Sequence, residues 1–304
     1  MTNDNPMIKF FRKIRQKLAT KNSFVSYSHQ RTLIFLWFFL VLVGCQNERF
    51  LVLKEPLLGM EFIKIKKGSF LMGDRQNLND SERIHEVHLT YDYWLGKTEV
   101  TQAQWRQLMG DAELHPEKPS PFRNMNPDFP IVSISYHDIE LFLEKLNDVS
   151  TDYQFRLPTE AEWEYACRAG SKTPFSYGTK LTNRLANYNA SFKSKYSEEG
   201  IFLRSPTPVG SYPANQWGLY DMHGNAWEWV SDWYAPYAAD PVINPTGPDT
   251  GKEKIIRGGS WYFGAAYAKS SSRRIHEPQL WGFSIGFRLV CEKRNDIPST
   301  NEKH

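Results

Sequence analysis

The chain has 304 residues, 40% of them hydrophobic and 14% aromatic, with a formal net charge of +3 and only three cysteines. A chain of this length can bury a core, as one domain or two small ones, without disulfide staples. Much of the positive charge sits in the first 32 residues, so the remainder is near neutral or acidic and shows no basic stripe, which argues against nucleic acid as a partner.

The leader is basic and irregular, with Lys9, Arg12, Lys13, Arg15, Lys17, Lys21 and Arg31. An unbroken apolar run of eleven residues follows, Leu33 to Val43. A spanning helix needs roughly 20 residues, so this run has the length of a signal-peptide hydrophobic region. It ends in Leu42-Val43-Gly44-Cys45, the pattern of a bacterial lipoprotein signal in which the cysteine becomes the lipidated first residue. The alternative is a short signal anchor with a free cysteine. Met1 and Met7 are both candidate starts. The expected organisation is a signal over 1–45 ending at lipidated Cys45, a linker over 46–60, a single domain over 61–292 and a polar tail over 293–304. A lipid anchor makes the membrane a partner and places the domain in the bacterial cell envelope. Gln46 after the cysteine points to the outer membrane if the organism is Gram-negative. Cys167 and Cys291 then remain in an oxidising compartment, either as one disulfide or as two buried thiols.

Glu61-Phe62-Ile63-Lys64-Ile65 alternates polar and apolar residues and predicts a strand. Gly68 turns it into Ser69–Gly73, and a second strand is expected over Val87–Trp94. His85 and His88 are three apart, on opposite faces of that strand, and are expected at its surface or edge. Three helix starts are marked. Thr101 with Gln104 forms a capping box, and Gly110 stops that helix. Ser135 caps the second helix, whose apolar stripe is Ile139, Phe142, Leu143 and Leu146. Thr159 with Glu162 forms another box before a helix stopped by Gly170. Glu160, Glu162 and Glu164 are expected as a charged first turn favoured by the helix dipole. From Ser171 onward long irregular connections dominate.

One stretch stands apart: Gly218-Leu219-Tyr220-Asp221-Met222-His223-Gly224-Asn225-Ala226-Trp227-Glu228-Trp229-Val230-Ser231-Asp232-Trp233-Tyr234. Its interior glycines suit neither a plain helix nor a plain strand. Its carboxylates and amide oxygens could hold a hard cation, or could simply be solvated beside an aromatic core. Together with Gly68–Gly73, Thr98-Glu99-Val100-Thr101, Arg156–Ala166, Arg257-Gly258-Gly259-Ser260-Trp261 and Gly286-Phe287-Arg288, it resembles the formylglycine-generating enzyme (sulfatase-modifying factor) family. The motifs are co-linear with that family from about Glu61 to Cys291.

The resemblance implies an α+β domain of the formylglycine-generating, C-type-lectin-like fold, with much irregular loop. It implies a structural calcium site at Asp221, Gly224, Ala226 and Glu228, and a second calcium site beginning at Asn187 and Tyr188. It also implies a Cys167–Cys291 disulfide, although Cys291 lies two residues past the family's usual position. The family's enzymes oxidise a peptide cysteine with a copper(I)-binding cysteine pair. Here Phe263 and Ala268 hold those two positions, and no cysteine occurs between Arg257 and Val290, so copper is not expected. Trp227 and Ser260 match residues of the family's oxygen pocket. His223, His276 and Glu277 flank the implied cleft, with Arg273 and Arg274 nearby. A lone histidine is more often a hydrogen-bonded structural residue than a catalyst. Two functions follow as expectations. One is a lipid-anchored envelope protein that binds a peptide, glycan or protein partner. The other is a non-heme metal-dependent oxidoreductase acting on a peptide or small molecule.

Overall fold

The structure is a computed structural model and describes residues 50–74, 83–110, 122 and 125–294. The leader, Cys45 and the end of the polar tail lie outside the described residues. Twelve strands and three helices are present among the described residues. The strands are β1 Val52–Lys54, β2 Glu61–Ile65, β3 Gly68–Met72, β4 His85–Leu89, β5 Tyr93–Gly96, β6 Tyr153–Arg156, β7 Trp227–Trp233, β8 Val242–Ile243, β9 Lys254–Arg257, β10 Arg273–His276, β11 Ile285–Phe287 and β12 Val290–Lys293. The helices are α1 Gln102–Met109, α2 Tyr136–Val149 and α3 Glu160–Arg168.

Three sheets result, in the orders β1-β2-β5-β12-β6, β10-β9-β7-β11 and β3-β4-β8. The strand expected over Val87–Trp94 is two strands, because β4 pairs with β3 whereas β5 pairs with β2 and β12. Asp92 holds the corner between them: it accepts the Lys67 N–H at 3.0 Å and pairs with Lys64 at 3.2 Å and Lys66 at 3.0 Å. Nor does the domain wait until Glu61. Val52–Lys54 already pairs antiparallel with β2, and the segment after it is fastened by buried Glu55, whose carboxylate accepts the N–H groups of Leu57, Leu58 and Met60.

All three helices begin with capping boxes, at Thr101 with Gln104, Ser135 with Asp138 and Thr159 with Glu162. Each box satisfies two donors that a helix start would otherwise leave open. Helices α1 and α2 meet in one core cluster, where Trp105 stacks on Phe142 at 5.0 Å and Phe287 closes edge-on at 5.5 Å from Phe142. A second cluster lies under α3 and contains Ile63, Leu95, Trp163, Cys167, Val230 and Val290. The outer edge of β6 is blocked rather than open. Asn147 of α2 accepts the Phe155 N–H at 2.7 Å and donates to its carbonyl at 2.9 Å.

Glu160 and Glu162 sit in the first turn of α3, as expected, with Glu164 one turn along the helix. All three are buried and paired with arginines, one from the same helix and the others from elsewhere in the chain. Glu162 takes Arg156 at 2.7 Å, Glu164 takes Arg168 at 2.6 Å and also Arg257, and Glu160 takes Arg273 at 2.8 Å and Arg257 at 3.3 Å. A buried carboxylate survives only when paired and hydrogen-bonded, and this network ties α3 to β9 and β10. His85 departs from expectation. It is buried, its ring 4.7 Å from Tyr237; His88 lies on the other face, as the spacing required.

Candidate functional site

The central stretch is a tight turn feeding a buried strand. Residues 218–226 carry no strand, and β7 runs from Trp227 to Trp233 with nearly every side chain covered. Left-handed backbone recurs through the turn: Gly218 at φ 85°, Asp221 at 57°, Gly224 at 108° and Asn225 at 58°. Gly224 has no alternative, since a Cβ there would come within 2.2 Å of the Asn187 carbonyl oxygen. That close approach lets the Asn225 N–H donate to the same carbonyl at 2.8 Å. The Asn187 side chain, expected in a second cation site, donates to the Ser205 carbonyl at 3.0 Å, and the Tyr188 hydroxyl donates to Leu181 O at 3.0 Å. Both side chains serve to brace the 181–207 loop.

Below the turn lies a buried acidic group. Glu228 has both oxygens engaged: Oε2 accepts from Arg288 Nε at 2.6 Å and Trp163 Nε1 at 2.7 Å, and Oε1 accepts from Arg288 at 2.7 Å. Expected as a cation ligand, Glu228 is instead the counter-ion of a fully buried arginine. The carboxylate with capacity left is Glu99. Its Oε1 accepts from Asn225 Nδ2 at 3.0 Å, while Oε2 meets no donor. Burial raises the Glu99 carboxyl well above its ordinary value, and Asp221 is the charge that adds most to that rise. Asp221, buried and holding the Gly210 N–H at 2.6 Å, is itself pushed up to about 6, chiefly by burial. Glu99, Asp221 and Glu228 together oppose one guanidinium. Such a surplus must be met by protons or by a cation, and an oxygen-only donor set suits a hard cation. Among the described residues no three His, Cys, Asp or Glu side chains form a ready-made metal site. Glu99 and Asp221 are the two carboxylates of the group that have no arginine of their own.

At the two positions matched to the copper thiolates, Phe263 is half-buried with its ring 5.9 Å from Trp227, and Ala268 is buried. Trp227 and Ser260 are each covered to 1% exposure, and Ser260 Oγ bonds Ser284 Oγ at 3.2 Å. Both side chains are therefore core residues closed off from solvent. His223 lies directly under Ala268. Its Nδ1 bonds Ala268 O at 2.8 Å and its Nε2 accepts the Ser176 N–H at 3.0 Å, so both nitrogens are spoken for. Burial lowers its pKa to about 4, and the neutral ring is a structural post.

The expected Cys167–Cys291 disulfide is absent, and both thiols are free and buried. Cys167 Sγ sits 3.5 Å from Ser270 Oγ and 3.7 Å from His223 Nε2, in the α3 cluster. Cys291 packs in the helix cluster with Phe62 and Phe155. Keeping the strand face two residues along did not bring the two sulfurs into one cluster. Burial pushes both thiols up to about 12, leaving them protonated.

Arg273, a cleft candidate in the sequence, is turned inward to Glu160 and to the Ala235 carbonyl at 3.0 Å, its guanidinium 4.1 Å from the Tyr237 ring. Arg274 is the one that faces out. His276 is half-buried beside Trp229 at 5.4 Å, and its Nε2 has no hydrogen-bond partner among the described residues. Around these positions runs an aromatic surface, with Tyr262, Tyr267 and Phe283 all more than a third exposed. A groove of about 1080 Å³ lies between α2 and strands β6 and β12, with Tyr136, Asn147 and Glu292 in its walls. Glu99 and Arg288 were missed as site residues. Both lie inside motifs that carry the resemblance, and a lone glutamate directly before an apolar residue and a helix cap is the signal that could have marked Glu99.

Residues 52–293 match the sulfatase-modifying factor enzyme 1-like domain. The formylglycine-generating enzyme of Streptomyces coelicolor is 33% identical over 248 residues, 78% of this chain and 76% of that protein. The Bos taurus formylglycine-generating enzyme is 32% identical over 219 residues, 67% of this chain and 55% of that protein. The chain thus spans about half the length of its mammalian relatives. The structure of PvdO from Pseudomonas aeruginosa superimposes with a TM-score of 0.67 at 26% identity, over 80% of this chain and 98% of that one. A match that runs from residue 52 to residue 293, most of the chain, makes this chain a member of the sulfatase-modifying factor enzyme 1-like family.

Proposed function

We propose that the chain is a lipid-anchored protein of the bacterial envelope whose domain binds a partner instead of oxidising one. The observation that carries this reading is the replacement of the thiolate pair by Phe263 and Ala268 inside a packed aromatic surface. Copper(I) chemistry of the family's kind needs soft thiolate ligands. Cys167 lies near Ala268 but is buried, protonated and in contact with the neutral ring of His223. A calcium ion is the second part of the reading. Held by Glu99, Asp221 and carbonyls of the turn, it would neutralise the acidic surplus and brace residues 218–226. An oxidoreductase reading is favoured by one observation, the unpartnered His276 Nε2, which is a single imidazole with no second ligand identified beside it.

Elemental analysis of protein purified without chelator, with melting curves, tests both parts. Calcium bound at about one ion per chain, with a calcium-dependent rise in melting temperature that Glu99→Gln abolishes, is the expected result. Stoichiometric copper or iron, or oxidation of a sulfatase-type cysteine peptide, would overturn the binding reading. Metabolic labelling with palmitate, lost in Cys45→Ser, tests the anchor.

A further inference from the structure

Resting on that binding reading, we propose that the outer face around the replaced thiolate positions docks an acidic, apolar polypeptide segment of a partner protein. The interior arginines Arg156, Arg168, Arg257, Arg273 and Arg288 all have carboxylate partners. Arg204 and Arg274 do not: both are exposed, and neither has a carboxylate partner among the described residues. Each is instead held against aromatic rings. The Arg204 guanidinium lies 5.5 Å from the Phe202 ring, on a residue kept in left-handed backbone at φ 60°. That of Arg274 lies 5.2 Å from Phe263 and 5.7 Å from Tyr267.

A file of rings joins the two. Phe202 is 6.1 Å from Tyr262, Tyr262 is 5.5 Å from Phe263, and Phe263 is 5.3 Å from Tyr267. Tyr262 and Tyr267 are 46% and 45% exposed, so the file is open to a ligand. Stacking fixes each guanidinium by its face and leaves its N–H edge to meet a carboxylate bidentately. Exposed tyrosine and phenylalanine with arginine is the composition of a protein-binding hot spot. A further observation favours a polypeptide over an acidic glycan. Strand β10, which carries Arg274, is the last strand of its sheet and so presents a backbone edge. The nearby acid, Glu277, is already engaged by Gln279 at 2.8 Å.

The test is panning of a random peptide phage library on the full chain in detergent, with the Arg204→Gln/Arg274→Gln double variant as counter-target. Both arginines are exposed and lack buried partners, so the variant should melt as the parent does. The expected result is a pool enriched in aspartate and glutamate next to apolar residues. Recovery on the double variant should fall at least about tenfold, and binding should weaken in high salt. No enrichment, enrichment without an acidic excess, or equal recovery on the double variant overturns the proposal. Arginine-dependent binding of alginate without peptide binding also overturns it, by reassigning the face to a glycan. Those failures leave the binding reading standing, because that reading falls separately, on redox metal or on peptide oxidation.

Discussion

Asp232 offers a quantitative test of how the fold treats buried charge. It lies on β7 beneath the start of α3, where its Oδ2 accepts the Glu160 N–H at 2.8 Å and the Ser231 hydroxyl at 3.0 Å. Burial first, and then the negative charge of Glu160, raises its carboxyl from an ordinary 3.8 to about 7. The folded state therefore keeps a proton that the unfolded chain releases near pH 4. Stability from this group is fully present below the unfolded value and is lost as pH rises through the folded one. At about 1.4 kcal/mol per unit, the loss between pH 4.5 and pH 8 is on the order of 3 kcal/mol. Asp232→Asn keeps an oxygen acceptor and cannot ionise. Urea unfolding of parent and variant across that range should give curves that lie close at pH 4.5 and diverge until the variant is more stable by about 3 kcal/mol at pH 8. The parent-minus-variant difference cancels contributions from Asp221 and the histidines. Parallel curves, with no pH-dependent gap, would show that Asp232 is ionised in the folded protein and would refute the reasoning.

Replacing Glu228 by Gln leaves the Arg288 guanidinium buried without its counter-ion, which should cost about 3–5 kcal/mol; a thermal midpoint unchanged from the parent would contradict the pairing. Asn147→Ala removes both hydrogen bonds that cover the β6 edge, with an expected loss of about 1–3 kcal/mol by chemical denaturation. A chain beginning at Gln46 should titrate two free thiols per molecule in denaturant without reductant, and almost none before unfolding. Zero thiols in denaturant would restore the disulfide.

What the sequence made legible was mainly local. A capping box is a relation between residues three apart, so Thr101, Ser135 and Thr159 could be read directly. The motifs carried the family and with it the fold. Less visible was anything decided by partners distant along the chain. The acidic turn Glu160, Glu162, Glu164 has the same pattern whether it faces water or Arg257, and only the tertiary fold supplies Arg257. Glu228 looked like a metal ligand because its competitor, Arg288, lies sixty residues away. The cysteine pair failed for a related reason: strand parity fixes a face, not a distance. That the neighbourhood of Phe263 forms an exposed ring file depends on Phe202, from a loop with no regular structure.

The packing around Phe263 has a bearing on protein engineering. Its ring is wedged among Trp227, Tyr262, Tyr267 and the Arg274 guanidinium. Installing cysteine at 263 and 268 to create a copper-binding oxidase would remove apolar contact worth on the order of 2 kcal/mol and leave Arg274 without its main platform. The new thiols would also sit above an imidazole whose nitrogens are both already bonded. Placing a thiolate pair at these positions is therefore a repacking problem spanning several loops, and two codon changes alone should loosen the ring file around Phe263.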